Sequence, residues 1–277
     1  MSGTLYLVAT PIGNLGDFSP RAAATLGEAD FIAAEDTRVS MKLLNHLGLR
    51  KPLVSYHQHN RFTAGPAILE RLLAGESCAL VTDAGTPAVS DPGEDLVRLC
   101  AKSGVEVISI PGCCALVSAL AVSGLPTGRF AFEGFLPASG RERRERLSEL
   151  AGEGRTAILY EAPHRLRATL DDLLAVLGDR PLALCRELTK LHEETRRTTL
   201  SQASAYYREH EPRGEFVLVL GGAEKAAGPA VTLDEGAAMV LARRAAGERM
   251  KDAVRQVSAE TGLARNELYE AALKAGQ

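Results

Sequence analysis

Short apolar segments alternate with amphipathic segments through the first part of the chain. Apolar residues at helical spacing predict helices over residues 21–26, 42–46, 67–74 and 95–102. Between them, continuous apolar runs typical of buried strands occupy residues 5–9, 31–35, 53–56, 79–82 and 105–110. Strands without a polar face, joined by helices, predict a mainly parallel sheet that is covered on both faces. We therefore expect residues 1–122 to form one α/β domain.

A second α/β domain is predicted over residues 123–224. A small-residue helix at 115–123 precedes it and ends at Gly124-Leu125-Pro126, a stop signal that marks the joint between domains. Predicted helices at 143–150, 166–177 and 203–210 accompany strands at 130–135, 156–160, 182–186, 195–199 and 216–220, two of which are expected to pair antiparallel. The mixed charges of residues 141–146 predict a solvated helix face, with phosphate contact as the alternative.

The end of the chain has a purely helical pattern. Gly221-Gly222 begins a linker that is expected to continue through Pro229, and residues 230–277 form a third, small unit. Within it, residues 251–269 contain an amphipathic helix, a glycine-centred turn and a second helix, which predicts a helix-turn-helix. This stretch is neutral, with seven Lys+Arg and seven Asp+Glu from 228 to 277. Docking on folded RNA, dimer packing and a helical hairpin without such a role all stay open.

Composition limits the classes of function. The chain has 277 residues, 45% hydrophobic and 24% charged, which is ordinary for a globular protein. Its net charge of −3 excludes a general attraction to nucleic acid, so RNA binding would need local basic patches. The five cysteines form no CxxC pair, which favours reduced thiols and argues against a metal site. We also find no signal sequence or membrane-spanning run, so we expect a soluble, cytoplasmic protein without membrane partners.

The segment 80–93, LVTDAGTPAVSDPG, carries the strongest sign of a ligand site. An apolar strand stops there at Asp83 and enters a loop rich in glycine and proline. Such a loop at the carboxyl end of a buried strand brings backbone amides, Asp83 and Thr86 near a polar ligand, and Gly85 allows close approach. A structural turn needs the same residue types, so both interpretations stay open.

Other strand ends also carry polar groups. Residues 9–15 lack the glycine spacing of dinucleotide and ATP sites, so neither NAD nor ATP is indicated, and a tight turn that faces a ligand fits better. Glu35, Asp36 and Arg38 follow the second strand, where an acid-rich helix start is the alternative. His57 and His59 follow the third strand without a third metal ligand, so contact with substrate or with the loop of the neighbouring strand is the better interpretation. In the second domain, Arg165, Arg186 and Lys190 are suited to phosphate oxygens, and an internal ion pair of Arg186 with Glu187 or Glu161 is the alternative.

Six ordered motifs together resemble a known family. They are VATPIGNLGD, AAEDTR, YHQHN, TDAGTPAVSDPG, YEAPHR and RELTK, within residues 3–222. In this order they resemble the branch of the tetrapyrrole methylase superfamily that methylates ribosomal RNA. The resemblance implies two α/β domains with the cofactor cleft between them, a carboxy-terminal helix-turn-helix, and a homodimer. It also implies transfer of a methyl group from S-adenosyl-L-methionine to a cytidine ribose 2′-hydroxyl at the decoding centre of 16S rRNA in the small ribosomal subunit.

The resemblance also implies which residues hold the methyl donor. They are Pro11, Asp83, Ala84, Gly85, Thr86, Pro87, Ala115, Tyr160, Glu215 and Phe216. The chain departs from the family at Cys113-Cys114-Ala115, where a serine is common; a backbone contact survives that change and a hydroxyl contact does not. A protonated hydroxyl is a poor nucleophile, so the reaction favours a proton acceptor, for which the candidates are Asp36, His57 and Glu161. The candidates for RNA contact are Arg38, Asn60, Arg165, Arg186 and Lys190.

Two rival functions remain at this point. C-methylation of a porphyrinoid or another small molecule is compatible with the same scaffold. A ligand-sensing regulator that reads DNA through the helical tail belongs to a different class, and the neutral charge of the tail argues against it.

Overall fold

A computed structural model describes residues 2–223 and 231–276 of the chain. The chain divides into two compact units, Met1–Ala223 and Glu224–Gln277. Most of the linker expected between Gly221 and Pro229 lies outside the described residues. Throughout the part of the chain that the structure describes, every helix is too short or too polar to cross a membrane.

Five parallel strands form the first sheet of the large unit. They are β1 (Thr4–Val8), β2 (Phe31–Ala34), β3 (Leu53–Ser55), β4 (Cys78–Val81) and β5 (Glu106–Ile110), in the order β3-β2-β4-β1-β5. The connecting helices are α1 (Pro20–Glu28), α2 (Thr37–His46), α3 (Arg61–Leu73) and α4 (Glu94–Lys102). The sheet is buried on both faces, because successive residues such as Leu80 and Val81 enter different hydrophobic clusters. The α/β fold expected from the sequence is confirmed.

Helices α2 and α3 begin earlier than the hydrophobic pattern indicates. Thr37 follows Asp36, whose carboxylate accepts the amide proton of Arg38 and so caps the helix. The first turns of these helices expose Val39 and Phe62, so they lack the buried apolar spacing by which hydrophobic periodicity detects a helix.

The second half of the large unit contains a mixed sheet. Its elements in chain order are α5 (Ala115–Ser123), β6 (Phe130–Phe135), α6 (Gly140–Gly152), β7 (Thr156–Glu161), α7 (Pro163–Leu177), β8 (Pro181–Arg186), β9 (Glu194–Thr199), α8 (Leu200–Glu209) and β10 (Phe216–Leu220). The strand order is β6-β7-β10-β8-β9, and only β6 and β7 run parallel within it. The expected antiparallel neighbours are β8 and β9, and β10 adds two more antiparallel pairings. All five residues of β10 are buried, which suits its central place.

Two segments of this half pack differently from their sequence pattern. Helix α5, which the boundary at residue 122 assigns to the first domain, packs Leu116, Ala119 and Leu120 against the second sheet. The sequence predicts a solvated face for helix α6, but Arg143 on this helix is buried. Its guanidinium lies 2.8 Å from the carboxylate of Asp172 on α7. The prediction of a solvated face is therefore wrong for Arg143, while Arg144 next to it is exposed.

The small unit is a bundle of three helices, α9 (Leu233–Ala245), α10 (Met250–Thr261) and α11 (Arg265–Ala275). Thr232 and Glu235 form a capping box that begins α9. Helix α10 ends at Gly262, whose φ of 75° is the left-handed conformation of a helix C-cap. Val240, Val257 and Leu268 form the centre of a small core. The predicted pair of helices around a glycine turn is confirmed in α10 and α11.

Candidate active site

The loops that follow β1, β4 and β5 are tied together at the carboxyl edge of the first sheet. Thr10 and Gly85 exchange two backbone hydrogen bonds, with N–O distances of 2.8 and 3.0 Å. The Thr10 hydroxyl donates to the Thr82 carbonyl at 3.1 Å, and the Thr86 hydroxyl donates to the Cys113 carbonyl at 3.0 Å. The backbone of Gly85 is thus used to hold the loops, and it supplies no free amide to a ligand. Its contribution is the absence of a side chain.

A cavity of about 390 Å³ lies between these loops and the second sheet. That volume is within the range of about 300–1,000 Å³ that is usual for small-molecule sites. The first half contributes Ile12, Ala84, Gly85, Thr86, Val89, Asp91, Cys114 and Ala115 to its wall. The second half contributes Phe135, Tyr160, Glu161, Ala162, Pro163, Cys185, Glu187, Leu188, Lys190, Glu215, Phe216 and Val217. The cavity is therefore built by both halves of the large unit.

Most residues expected to hold the methyl donor line this cavity. These are Ala84, Gly85, Thr86, Ala115, Tyr160, Glu215 and Phe216. Pro11 and Asp83 instead line a separate depression of about 230 Å³ beside α2. Pro87 is buried in the loop and belongs to neither wall.

Tyr160 joins the second sheet to the start of α5. Its hydroxyl accepts the amide proton of Leu116 at 3.2 Å, and its ring packs edge-on against Phe132 and Phe135. Burial raises the pKa of Tyr160 to about 12, so the phenol stays protonated at neutral pH. Its proton is available to a ligand in the cavity, and the hydroxyl is a donor and not a base.

Glu161 is a buried member of an internal network. The residue is only 2% exposed, and its Oε2 accepts a hydrogen bond from the Thr169 hydroxyl at 2.5 Å. Its Oε1 accepts the amide proton of Ala162 at 2.9 Å and lies 3.4 Å from Arg165. Arg165 also donates to the carbonyl of Leu136. Both charged groups are thus satisfied by the protein, although Glu161 lines the cavity.

The segment after β8 closes the cavity through a second network. Lys190 Nζ lies 3.0 Å from Glu187 Oε1 and 2.8 Å from Glu215 Oε2. Glu187 also accepts the amide proton of Glu215 at 3.0 Å, which joins this segment to β10. The charge of Lys190, a candidate for RNA contact, is therefore balanced by two carboxylates. Glu187 is a structural residue that sequence reasoning considered only as an ion-pair partner.

The remaining sequence candidates lie outside the cavity wall. The Asp36 carboxylate forms a salt bridge with Arg38 at 2.6 Å. This arginine holds the pKa of Asp36 at about 2, so the carboxylate is a weak proton acceptor. His57 Nδ1 accepts the amide proton of Asn60 at 3.3 Å, while Asn60 Oδ1 accepts that of His57 at 2.8 Å. These mutual bonds begin α3. Arg186 faces Glu194 across the pair of β8 and β9 at 3.4 Å.

Asp91 lines the cavity, although it was not among the candidates from sequence. Burial, together with the nearby carboxylates of Glu35 and Asp83, raises its pKa to about 7. Burial likewise raises the pKa of Glu35 and of Asp83. Asp91 lies within the segment that first indicated a ligand site, but a sequence does not reveal which acid of a loop faces a cavity.

Three cysteines lie at or beside the cavity. Burial raises the pKa of Cys113 and of Cys185, and Cys114 and Cys185 lie in the cavity wall. Among residues 2–223 and 231–276, His, Cys, Asp and Glu side chains form no group of three that could hold a metal ion. The Cys113 backbone carbonyl accepts a hydrogen bond from the Thr86 hydroxyl. A cysteine in this stretch, where a serine is common in the family, leaves such a backbone contact unchanged.

Comparison with known proteins agrees with the two-unit architecture. Residues 4–204 match the family of Tetrapyrrole (Corrin/Porphyrin) Methylases, and residues 231–276 match the RsmI C-terminal HTH domain. A Synechocystis protein named ribosomal RNA small subunit methyltransferase I is 51% identical over 98% of both chains. Proteins of the same name from Halalkalibacterium halodurans and Escherichia coli O157:H7 are 48% and 42% identical, over 96% and 98% of this chain and 93% and 95% of theirs.

Solved structures support the fold. A diphthine synthase superposes with a TM-score of 0.61 at 15% identity, over 79% of this chain and 90% of its own. A uroporphyrin-III C-methyl transferase from Thermus thermophilus, complexed with S-adenyl homocysteine, gives a TM-score of 0.57 at 22% identity, over 79% and 97% of the two chains. The chain is 51% and 48% identical to the first two relatives over nearly its full length. It therefore belongs to the tetrapyrrole methylase family and, within it, to the ribosomal RNA small subunit methyltransferase I proteins.

Proposed function

We propose that this protein transfers a methyl group from S-adenosyl-L-methionine to the ribose 2′-hydroxyl of a cytidine in 16S rRNA, within the small ribosomal subunit. The observation that carries the proposal is a cavity built by both halves of a tetrapyrrole methylase fold, in a chain 51% identical to a named small subunit methyltransferase. We also propose a cytoplasmic location, because ribosomal RNA is found there.

The cavity wall suits the methyl donor. Ile12, Phe135 and Leu188 provide apolar surface for a planar base from both halves of the unit. The Tyr160 proton and the free lone pair of the Thr86 hydroxyl provide hydrogen bonds for its polar groups. The bound donor supplies a sulfonium whose methyl carbon is electrophilic. The task of the protein is then to align the ribose oxygen with that carbon, since positioning accounts for much of the acceleration.

The direct test uses purified protein, labelled S-adenosyl-L-methionine and small subunits from a strain that lacks the modification. We expect label on one ribose 2′-oxygen, located by mass spectrometry of the rRNA. Free 16S rRNA is assayed in parallel, because it separates recognition of naked RNA from recognition of the assembled subunit. Measured binding of the donor without labelling of either RNA substrate would move the acceptor to a small molecule.

Arg38 is the best placed of the five candidates for RNA contact. Its side chain is 87% exposed at the carboxyl edge of the first sheet, and it is held by Asp36 in a bidentate pair. A positioned guanidinium with free solvent access is suited to phosphate oxygens. We expect Arg38→Ala to leave donor affinity unchanged, to weaken subunit binding, and to reduce the salt slope of binding by about 1. Filter binding across a salt series measures both effects.

Arg155 provides a matched control for this substitution. The Glu153 carboxylate accepts hydrogen bonds from the backbone amide and the guanidinium of Arg155, as that of Asp36 does from Arg38, and each pair is two residues apart. Arg155, however, precedes the first residue of β7, whereas the cavity lies at the other end of that strand. Arg155→Ala is expected to keep the full salt slope, and equal losses in the two variants would contradict an RNA contact at Arg38.

We propose that the protein forms a homodimer through α5. This helix is apolar on all sides, and its outer face exposes 54% of Val117 and 40% of Val122, with Phe130 nearby in sequence at 39%. A helix that is apolar all round is usually buried on every side. Val117→Asp is expected to shift the protein toward monomer in sedimentation equilibrium. Val176→Asp on α7, where the native valine is 45% exposed, is the control and should leave the mass unchanged.

A further inference from the structure

The loop between Ala84 and Gly93 has a shape that aims two side chains into the cavity. The amide of Ala88 donates to the Pro92 carbonyl at 3.3 Å, which closes a tight turn. Inside this turn Val89 and Asp91, two residues apart, both line the cavity. Ala88 and Ser90 have φ of 67° and 62°, a left-handed conformation that is rare for residues other than glycine. Strain of this kind is often found at functional sites, where the surrounding structure maintains it.

The second half of the unit holds this turn in place. Gly134 lies at a bulge in β6 and has φ of 62°. The Ser90 hydroxyl occupies the space beside it, where a Cβ on Gly134 would lie 2.8 Å from Ser90 Oγ. The Ser90 side chain of the turn thus packs directly against β6. Gly93 at the other end is equally confined, since a Cβ there would lie 2.9 Å from the Ala88 Cβ. The position of Asp91 is thus fixed from two sides.

The Asp91 carboxylate lacks a partner among the described residues. The groups that face it are the acids Glu35 and Asp83 and the protonated phenol of Tyr160. The other ionisable groups of the wall are Cys114, Glu161, Cys185, Glu187, Lys190 and Glu215. The only cation in that set, Lys190, is held by Glu187 and Glu215. A carboxylate placed in a cavity wall without a cation and without a formed hydrogen bond is poorly stabilised and is available to a substrate.

From this arrangement we infer that Asp91 is the group that takes the proton of the ribose 2′-hydroxyl during methyl transfer, an inference that rests on the proposed function. The 2′ oxygen forms its bond to the methyl carbon while the carbon–sulfur bond breaks and its electron pair stays on sulfur. The hydroxyl proton passes to an Asp91 carboxylate oxygen, and solvent later removes it. Burial raises the pKa of Asp91 to about 7, which is the range in which a carboxylate accepts a proton and still gives it up to water.

The test compares Asp91→Asn with wild type in the full-length protein. We expect the affinity for S-adenosyl-L-methionine to stay within about threefold, while single-turnover methylation of small subunits falls by roughly 100-fold or more. In wild type the rate rises with pH and levels off at or below about pH 7, because a bound sulfonium lowers the pKa of Asp91. The variant loses this inflection, and Asp91→Glu restores part of it.

Thermal unfolding without substrate gives a second readout. Because the pKa of Asp91 is raised in the folded state, its ionisation destabilises the fold fully above about pH 7, and this penalty disappears as the pH falls toward about 4. Asp91→Asn should therefore raise the Tm at pH 8 and give little gain at pH 4. A residue with a merely structural role would lower the Tm when replaced.

The control is Glu94→Gln, three residues along the chain. Glu94 is 75% exposed, pairs on the surface with Arg98 and lies outside the cavity wall, so its activity and pH profile should match wild type. Loss of donor affinity in Asp91→Asn equal to the loss of rate would overturn the inference, because Asp91 would then hold the donor. A rate within about threefold of wild type would overturn it as well. An inactive wild type, in contrast, is a failure of the proposed function itself.

Discussion

Gly85→Val is expected to weaken binding of S-adenosyl-L-methionine by about 10- to 100-fold, the equivalent of about 1.4–2.8 kcal/mol. Gly85 lines the cavity, and a Cβ at this position would already lie 3.5 Å from the Ile12 side chain. The two methyl groups of valine extend beyond that point into the space that the donor would occupy. Titration calorimetry with the donor measures the loss.

The same substitution also strains the backbone, and this effect must be separated from loss of the cavity. Gly85 has φ of 88°, a conformation that costs a β-branched residue about 1–3 kcal/mol. Gly104 has φ of 70° with nothing within 4 Å of its would-be Cβ, and it lies outside the cavity wall. Gly104→Val therefore carries the backbone penalty alone. We expect both variants to lose similar stability in urea, and only Gly85→Val to lose the donor; normal donor binding by Gly85→Val would show that the pocket lies elsewhere.

Arg143→Ala is expected to lower the free energy of unfolding by about 2–4 kcal/mol. The Arg143 side chain is 9% exposed and donates to Asp172, to the Pro137 carbonyl and to the Thr169 hydroxyl, at 2.8, 2.9 and 3.1 Å. Its removal leaves buried acceptors without a donor. Asp172 is 46% exposed and can be solvated by water, which keeps the loss below that of a fully buried pair. Urea unfolding followed by circular dichroism gives the number.

Arg144→Ala on the same helix is the control. Arg144 is exposed, so its replacement should change stability by less than about 0.5 kcal/mol. Arg143→Lys adds a second comparison, because lysine keeps the charge but not the planar fork that reaches three acceptors, and an intermediate loss is expected. If Arg143→Ala were as stable as Arg144→Ala, the buried network would contribute little to the fold.

The Arg143 network has a consequence for the cavity. Thr169 accepts a hydrogen bond from Arg143 and donates one to Glu161, which lies in the cavity wall. One side of the cavity is thus held by a chain of buried polar groups that begins on α6. The opposite side is held by Lys190 and its two carboxylates. Both networks fix polar side chains around an otherwise apolar site, so that little reorganisation is needed when a ligand binds.

The order and type of the elements follow from the residue pattern alone. Strands such as β4 and β10 are apolar on both faces, and only burial between layers stabilises such segments, so their position along the chain could be predicted to within a few residues. The glycine and proline residues after β4 likewise indicated the loop that lines the cavity, because the backbone there needs conformations that other residues resist. These features depend on residues that are neighbours in the chain, so they can be recognised in the sequence.

Which charged groups face the cavity and which form internal pairs depends on the packing of the folded chain. Arg143 and Arg144 are adjacent and chemically identical, yet one is buried because Asp172 and Thr169 approach it from α7. Asp36 and Asp91 both follow strands of the first sheet, yet Arg38 holds the first as a carboxylate while burial among acids raises the pKa of the second. The state of an ionisable group depends on partners that are distant in sequence and on how much water reaches it. These are properties of the packed molecule, and the order of residues does not contain them.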